Sequence, residues 1–231
     1  MVPAYNEEKT VASVVSQTAQ HVDSVIVIDD GSTDGTLEEI KKMSREHPSL
    51  EIITWPTNRG KGSAITQGVQ RALALGADQI VLIDADGQHD PKDIPNLLLP
   101  IERGIADVVL GVRFSQAASR IPLSRVLMNV LAVLAFLLIS GSFVSDVLCG
   151  FRAYSNRAAK TIFEGLKVGG FEVEEETLYR SVKSGLLIAQ IPVSVNYPKN
   201  MKVDLMKFSE SVLRILRNHW KEVLRRMFLI R

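Results

Sequence analysis

Residues 82–91 read Leu82-Ile83-Asp84-Ala85-Asp86-Gly87-Gln88-His89-Asp90-Pro91, and the rest of the chain is organised around them. The apolar run 79–83 that leads into them predicts a buried strand. The strand stops at Asp84 and Asp86, two carboxylates that are spaced i and i+2 and followed by glycine. Such an oxygen-rich cluster suits a hard divalent cation that carries a phosphate. The alternative is a polar turn in which Asp and Gly serve only the turn geometry.

Apolar runs and helical patterns alternate along the chain. Strands are predicted at 24–28, 51–54, 79–83, 106–112 and 186–195, and helices at 9–20, 36–46, 63–75 and 174–184. This alternation predicts an α/β fold with a doubly wound, mostly parallel sheet. Ligands of such sheets bind beyond the carboxyl ends of the strands. Asp29, Asp30, Asp84 and Asp86 should therefore share one edge, where clustered carboxylates favour a bound cation.

Composition excludes several classes of protein. The 231 residues predict one domain, and 46% hydrophobic with 23% charged residues is ordinary for a globular chain. The net charge of +1 gives no basic field for nucleic acid. The single Cys149 cannot form an internal disulfide, which fits a reducing compartment. The opening residues lack a basic and then apolar stretch, so we expect no signal peptide. Only two residues precede Pro3, so the first strand is either truncated or begins upstream.

Four polar segments follow one another along the chain: Pro3-Ala4-Tyr5-Asn6-Glu7, Asp29-Asp30-Gly31-Ser32-Thr33-Asp34-Gly35-Thr36, Asn58-Arg59-Gly60-Lys61-Gly62 and Asp84-Ala85-Asp86-Gly87-Gln88-His89. Taken in this order, they resemble family-two inverting glycosyltransferases of the GT-A fold, and more narrowly the dolichyl-phosphate mannose and glucose synthases. The similarity covers roughly residues 1–198. It implies a GT-A catalytic domain over 1–198, with a mostly parallel twisted sheet flanked by helices.

The resemblance also implies which residues bind the donor. Those assigned to the nucleotide are Pro3, Tyr5, Glu7, Ile28, Asp30, Asp84 and Ala85. Those assigned to Mg²⁺ or Mn²⁺ on the diphosphate are Asp84, Asp86 and Gln88. A bound cation stabilises the charge that develops on a leaving nucleoside diphosphate. A single imidazole beside oxygen ligands favours a hydrogen-bonding role for His89 over ligation.

Arginines near an apolar segment match the family's site for a lipid phosphate. The resemblance assigns the acceptor phosphate to Arg113, Arg125, Arg152 and Lys202, and catalytic roles to Asp86, Arg113 and Glu174. The chain departs from the family at Val112, Glu172 and Met201, which replace Ser or Thr, Gln and Ser. We expect no general base, because a lipid monophosphate has its second ionisation at about pH 6 and is already an anion near neutral pH. Glu174 would orient the acceptor loop or the sugar hydroxyls; the alternative is an ordinary helix start.

Two stretches indicate a membrane surface. The apolar helix predicted over about 122–144 contains Asn129 and is shorter than the roughly 20 apolar residues of a spanning helix. We expect it to be interfacial, with a spanning or a core helix as alternatives. Residues 207–231 carry seven Lys or Arg against two Glu, a net +5. The segment 199–231 thus predicts a basic amphipathic helix at an anionic membrane; docking on the catalytic domain and dimerisation are alternatives.

Together these features predict an inverting, metal-dependent glycosyltransferase. It would move a hexose, with mannose from GDP-mannose preferred and UDP-glucose as the alternative donor, to a polyprenyl or dolichyl phosphate. The protein would be peripheral, on the cytoplasmic face of a membrane, and a homo-oligomer is a further option. Two other functions stay open: a soluble family-two transferase of glycan or cell-wall synthesis, and a non-catalytic module that binds sugar nucleotides.

Overall fold

The structure is a computed structural model that describes residues 1–113, 123–170, 172–196 and 219–220, without the side chains of Glu46 and residues 123–125. Of the predicted phosphate ligands, Lys202 lies outside the described residues and Arg125 is described only through its backbone. The predicted C-terminal helix over 199–231 also lies outside them, apart from residues 219–220.

Strands and helices alternate as the sequence predicts. The strands are β1 (Val2–Ala4), β2 (Val25–Asp29), β3 (Leu50–Thr54), β4 (Gln79–Leu82), β5 (Val108–Val112), β6 (Arg152–Ser155) and β7 (Ile188–Pro192). The helices are α1 (Val11–Thr18), α2 (Thr36–Glu46), α3 (Lys61–Ala74), α4 (Ile94–Glu102), α5 (Leu123–Ser140), α6 (Asn156–Phe163) and α7 (Val173–Lys183). A 3₁₀ turn, Pro91–Asp93, precedes α4. The sequence did not predict α4, β6 or α6.

The strands form two ladders, β1-β2-β3 and β4-β6-β5-β7, which meet at Met1. The backbone nitrogen of Met1 donates to Val81 at 2.8 Å, and the amide of Ile83 donates to Met1 at 3.2 Å. The joined order is therefore β3-β2-β1-β4-β6-β5-β7, and β6 is antiparallel to both of its neighbours. The edge position of β7 agrees with Pro192, since proline is tolerated at sheet edges.

Apolar residues cover both faces of this sheet, which explains why the strands are almost continuously hydrophobic. Ile26 and Ile28 face the layer that contains α3, α6 and α7. Their neighbours Val25 and Val27 face the layer that contains α1 and α4. The alternation of side chains along a strand thus divides one hydrophobic run between two cores.

Helix α5 is buried along one side and exposed along the other. Asn129, Ala132, Phe136 and Ile139 lie on the buried side and are at most 6% exposed. The exposed side is apolar, and its members are Leu127, Val130, Leu131, Leu134, Leu137 and Leu138, which we call the α5 apolar face. In the part of the chain that the structure describes, no helix has the length and hydrophobicity needed to cross a membrane. The alternative prediction, that this apolar helix belongs to the core, is thus correct for only one side of α5.

Candidate active site

The sheet topology brings several functional segments to one edge. Asp29, at the end of β2, is in register with Ala4 and Thr54 at the ends of β1 and β3. Leu82, at the end of β4, pairs with Arg152, the first residue of the antiparallel β6. The chain that enters β6 therefore runs along the same edge as the turn that follows β4. We call this edge the active-site edge.

The acidic pair after β2 is satisfied by backbone and hydroxyl groups of neighbouring loops. Asp30 is 3% exposed, and its two carboxylate oxygens accept hydrogen bonds from the amides of Arg59 and Gly60 at 2.7 and 2.8 Å. Asp29 is 1% exposed and accepts from Ser32 N–H at 3.2 Å and from the Thr54 hydroxyl at 2.9 Å. These bonds stabilise both carboxylates without a cation, in contrast to the expectation that Asp29 and Asp30 favour one.

The predicted nucleotide residues divide into buried and accessible ones. Pro3, Ile28 and Ala85 are buried as whole residues, and Ile28 is in the core that faces α3. The structure therefore leaves little of these residues accessible to a nucleotide. Tyr5 is 44% exposed at the end of β1. Burial raises the pKa of Glu7 above its usual value; a hydrogen bond from Thr10 opposes this rise, and the negative charges of Asp86 and Asp84 add to it.

Asp84 is held by Lys61, a partly buried lysine at the start of α3. The ammonium of Lys61 lies 2.8 Å from one carboxylate oxygen of Asp84 and 2.9 Å from the other. It also lies 2.7 Å from Oε1 of Glu174, in the first turn of α7. Burial alone would raise the pKa of Asp84, but the charge and hydrogen bond of Lys61 hold it below its usual value. Lys61 thus joins the turn after β4 to α7.

Asp86 is held by its own turn. One of its oxygens accepts from the Gln88 amide at 2.9 Å, and the other accepts from the Gln88 side chain at 2.6 Å. Within the described residues, no three His, Cys, Asp or Glu side chains cluster as a complete metal site. Mg²⁺ usually binds through one or two carboxylates with substrate phosphates and waters. Asp84 and Asp86 fit that partial donor set, and a bound diphosphate would supply further oxygen ligands.

His89 is buried behind the turn and faces apolar groups. It is 7% exposed, its ring centroid lies 5.1 Å from that of Phe151, and Nε2 is 3.9 Å from the Cys149 thiol. Burial lowers the pKa of His89 to about 4, so the imidazole is neutral near pH 7. The ring packs against Phe151 behind the turn, and the predicted hydrogen-bonding role of His89 stays a prediction.

Arg113 follows β5 and is oriented by a buried acid. Its Nε and Nη2 donate to the two oxygens of Asp146 at 2.8 and 2.7 Å, and its backbone amide donates to the same carboxylate at 3.0 Å. Asp146 is fully buried. The charge of Arg113 lowers the pKa of Asp84, after the larger effects of burial, which raises it, and of Lys61 and His89. The structure therefore places this predicted catalytic residue within electrostatic reach of Asp84.

Arg152 lies in the interior, which corrects its predicted role at the acceptor phosphate. It is 1% exposed, and its guanidinium donates to the backbone oxygens of Val147, Cys149 and Glu174 at 2.8, 2.8 and 2.6 Å. Burying a guanidinium is costly unless its donors are satisfied, and here carbonyl oxygens satisfy them. Arg152 thus fixes the chain before β6 against the start of α7.

Sequence reasoning missed Lys61 and Asp146 as site residues. Lys61 stands in the quoted segment 58–62, where two glycines flank it. Gly60 has φ +92°, and a Cβ on it would lie 2.0 Å from the Gly169 oxygen, so only glycine fits that close approach. The pair of glycines on either side of Lys61 is therefore the sequence feature that could have identified it as a site residue. Asp146 stands in a segment, 146–152, that matches the family's Asp…Phe-Arg pattern, but the sequence does not indicate its pairing with Arg113, which lies 33 residues away.

Comparisons with known proteins show the family of this chain and the kinds of protein to which it is similar. The model of the family described as "Glycosyl transferase family 2" matches residues 1–163. The chain is 34% identical to a UDP-N-acetylglucosamine–dolichyl-phosphate N-acetylglucosaminyltransferase of Methanococcus voltae, over 85% of this chain and 84% of that protein. It is 28% identical to an undecaprenyl-phosphate mannosyltransferase of Micrococcus luteus, over 84% of this chain and 81% of that protein.

A solved structure shares the fold. It is glucosyl-3-phosphoglycerate synthase of Mycobacterium tuberculosis in complex with Mn²⁺ and UDP-glucose. The match has a TM-score of 0.69 and 26% identity, and it covers 94% of this chain and 77% of that one. The predicted α/β fold of the GT-A type is thereby confirmed.

Proposed function

The chain belongs to glycosyl transferase family 2, and on that premise we propose that it transfers a sugar from a nucleotide donor to a polyprenyl or dolichyl phosphate. The similar proteins from Methanococcus voltae and Micrococcus luteus, whose names include dolichyl phosphate and undecaprenyl phosphate, support this acceptor class. Those names also carry different sugars, so the donor is a separate question.

One observation carries the proposal: the buried side of α5 is linked to the segment that holds Arg113, and the charge of Arg113 acts on Asp84 in the turn after β4. The Asn129 side chain of α5 donates to the Ser145 oxygen at 2.7 Å. The next residue, Asp146, binds Arg113 through both of its oxygens. Helix α5, the Arg113 guanidinium and the acidic turn are thus connected in the fold. This arrangement suits a substrate that has a long apolar chain and a phosphate headgroup.

The proposed transfer does not require a general base from the protein. A lipid monophosphate is mostly dianionic above about pH 6 and can attack the anomeric carbon directly. Attack from the face opposite the leaving diphosphate inverts the configuration through an oxocarbenium-like state. Arg113 would position the incoming phosphate, and Glu174 would orient the sugar or the acceptor loop through its place beside Lys61. Mg²⁺ or Mn²⁺ bound by Asp84 and Asp86, with Gln88 beside them, would supply a Lewis acid for the diphosphate.

The donor that we propose is GDP-mannose. UDP-glucose and UDP-N-acetylglucosamine are the alternatives, because the names of the similar proteins carry different sugars. The nucleotide would lie along Tyr5, Glu7 and the turn at Asp84, with the backbone of Pro3, Ile28 and Ala85 behind it.

We further propose that the protein works at the cytoplasmic face of a membrane, with the α5 apolar face against the lipid. The catalytic domain would comprise residues 1–198, and residues 199–231 would add a basic helix beside it. His219 supports that placement, because its Nε2 lies 3.1 Å from Glu176 and its ring centroid 4.0 Å from that of Tyr179, both on α7. Trp220 is 52% exposed next to this contact.

A donor panel tests the proposal. The intact chain is incubated with GDP-mannose, UDP-glucose or UDP-N-acetylglucosamine, with dolichyl or undecaprenyl phosphate and Mn²⁺, and the lipid product is identified by mass. We expect one donor to yield a hexosyl or N-acetylhexosaminyl lipid phosphate. Transfer to a water-soluble glycan, with none to lipid phosphate, would favour a soluble transferase. Binding of a sugar nucleotide without any turnover would favour a non-catalytic module.

A further inference from the structure

Lys61 places a positive charge where the turn after β4 would otherwise attract a cation. Its ammonium contacts both oxygens of Asp84 at 2.8 and 2.9 Å, and the side chain is 17% exposed. A Cβ on Gly150 would lie 2.9 Å from Asp84 and 3.2 Å from the ammonium, so the Gly150 backbone covers the pair. The lysine therefore neutralises one of the two carboxylates that a divalent cation would use.

The backbone around Lys61 is held from both sides. The amide of Gly60 donates to Asp30 at 2.8 Å, and the amide of Gly62 donates to the Gly169 oxygen at 3.1 Å. Because the backbone is fixed, the ammonium can reach new partners only through rotation of its own side chain. One such partner is already in contact, since Oε1 of Glu174 lies 2.7 Å away.

A divalent cation and an ammonium cannot share the Asp84 carboxylate at low cost, because like charges a few ångströms apart repel strongly at a partly buried site. Glu174 resolves the conflict, since Lys61 can leave Asp84 and keep an ion pair. A nucleoside diphosphate changes the balance further, because it brings at least two negative charges and additional oxygen ligands.

We propose that Lys61 is a built-in counter-cation that keeps Asp84 occupied until a metal ion and a nucleotide arrive together, and that it then pairs with Glu174. This inference rests on the metal site of the proposed function and adds an order of binding to it. Lys61 acts here as a positioning residue, because it works through Asp84 and Glu174. In its absence, Glu7, Asp84, Asp86 and Glu174 would attract a divalent cation without any nucleotide.

The test is a titration with Mn²⁺, in which paramagnetic resonance measures the free ion at pH 7.5. The intact protein, K61M and K61R are compared in the presence and absence of UDP or GDP. We expect K61M, which keeps the length of the side chain but removes its charge, to bind Mn²⁺ alone at least about ten-fold more tightly than the unchanged protein. K61R, which keeps the charge, should stay within about three-fold of it.

Each result supports or overturns the inference. If Lys61 has only a structural role, K61M should bind Mn²⁺ as tightly as the unchanged protein or more weakly, and that result would overturn the inference. K61Q, which can still donate hydrogen bonds to both carboxylates, replaces K61M if thermal unfolding shows that K61M does not fold. Strong binding of Mn²⁺ alone to the unchanged protein would also overturn it. If the unchanged protein fails to bind Mn²⁺ in the presence of UDP and also in the presence of GDP, the metal site of the proposed function fails as well. If it binds Mn²⁺ with a nucleotide but K61M binds Mn²⁺ alone no more tightly, only the inference fails.

Discussion

Arg113 and Asp146 form a bidentate ion pair at the active-site edge, with nitrogen–oxygen distances of 2.8 and 2.7 Å. The arginine follows β5 and the aspartate lies in the chain that leads to β6, so the pair closes a loop of 33 residues. Asp146 is fully buried and also accepts the backbone amide of Arg113. This geometry fixes the direction of the guanidinium before any substrate binds.

Replacing Asp146 should therefore lower the stability of the protein as well as its rate of sugar transfer. In D146N a neutral amide leaves the Arg113 charge without its buried partner, and loss of one member of a buried pair typically costs roughly 3–5 kcal/mol. Urea unfolding measures the change in the free energy of unfolding. R71M is the control, because Arg71 pairs with Glu51 at the surface and such pairs contribute about 1 kcal/mol or less. Equal effects of D146N and R71M would contradict the buried role of the pair.

Asp86 should be needed for metal binding and not for the fold. D86N keeps the size of the side chain but removes its negative charge, and we expect Mn²⁺ affinity in the presence of nucleotide to fall by about a hundred-fold or more. Calorimetric titration measures it. The control is D90N in the same turn, where the carboxylate accepts the Lys92 amide at 3.0 Å and lies before the 3₁₀ turn. D90N should leave both stability and metal affinity nearly unchanged, because asparagine caps a helix about as well as aspartate.

Glu175 should make the protein less stable as pH rises. Burial, and next the charge of Glu174, raise its pKa from 4.5 to about 8. The folded state thus keeps a proton that the unfolded state loses above about pH 4.5, so this contribution is complete below that pH and disappears as pH rises through 8. The difference corresponds to roughly 5 kcal/mol, at about 1.4 kcal/mol per pKa unit.

The variant E175Q isolates this effect, because glutamine resembles the protonated acid and does not titrate. We expect E175Q and the unchanged protein to have similar free energies of unfolding at pH 5, and E175Q to be the more stable of the two at pH 8. E164Q, at an exposed position after α6, is the matched control and should change stability by less than about 0.5 kcal/mol at either pH. A parallel loss of stability with pH in E175Q would show that other groups cause it.

The α5 apolar face should bind lipid. Leu131 and Leu134 are 47% and 52% exposed on that face, and we expect L131E/L134E to reduce flotation with anionic vesicles several-fold. The double substitution should leave thermal unfolding nearly unchanged, because neither leucine is in the core. I105E is the control, since Ile105 is an apolar residue that is 62% exposed away from α5. Equal flotation of all three proteins would argue against lipid contact through α5.

Local patterns in the sequence decided the elements that alternate regularly. The predicted helix at 36–46 coincides with α2, and the strands predicted at 24–28 and 79–83 match β2 and β4 to within a residue. The elements that were missed are α4, β6 and α6. In β6, Arg152 begins the strand and turns inward to bind backbone oxygens, so the strand lacks a continuous apolar run and gave no periodic signal.

The sequence by itself determined the strand-and-helix order, the acidic turn at Asp84 and Asp86, and the apolar character of α5, because each depends on neighbours a few residues apart. Only the tertiary structure decided the pairing of Lys61 with Asp84 and Glu174, the orientation of Arg113 by Asp146, and the burial of Arg152. The ion pairs and the Arg152–Glu174 contact join residues 22 to 113 positions apart, and the antiparallel entry of β6 at the active-site edge brings several of them together. The energy of a charged group depends on how deeply it is buried, and its burial is a property of the folded molecule.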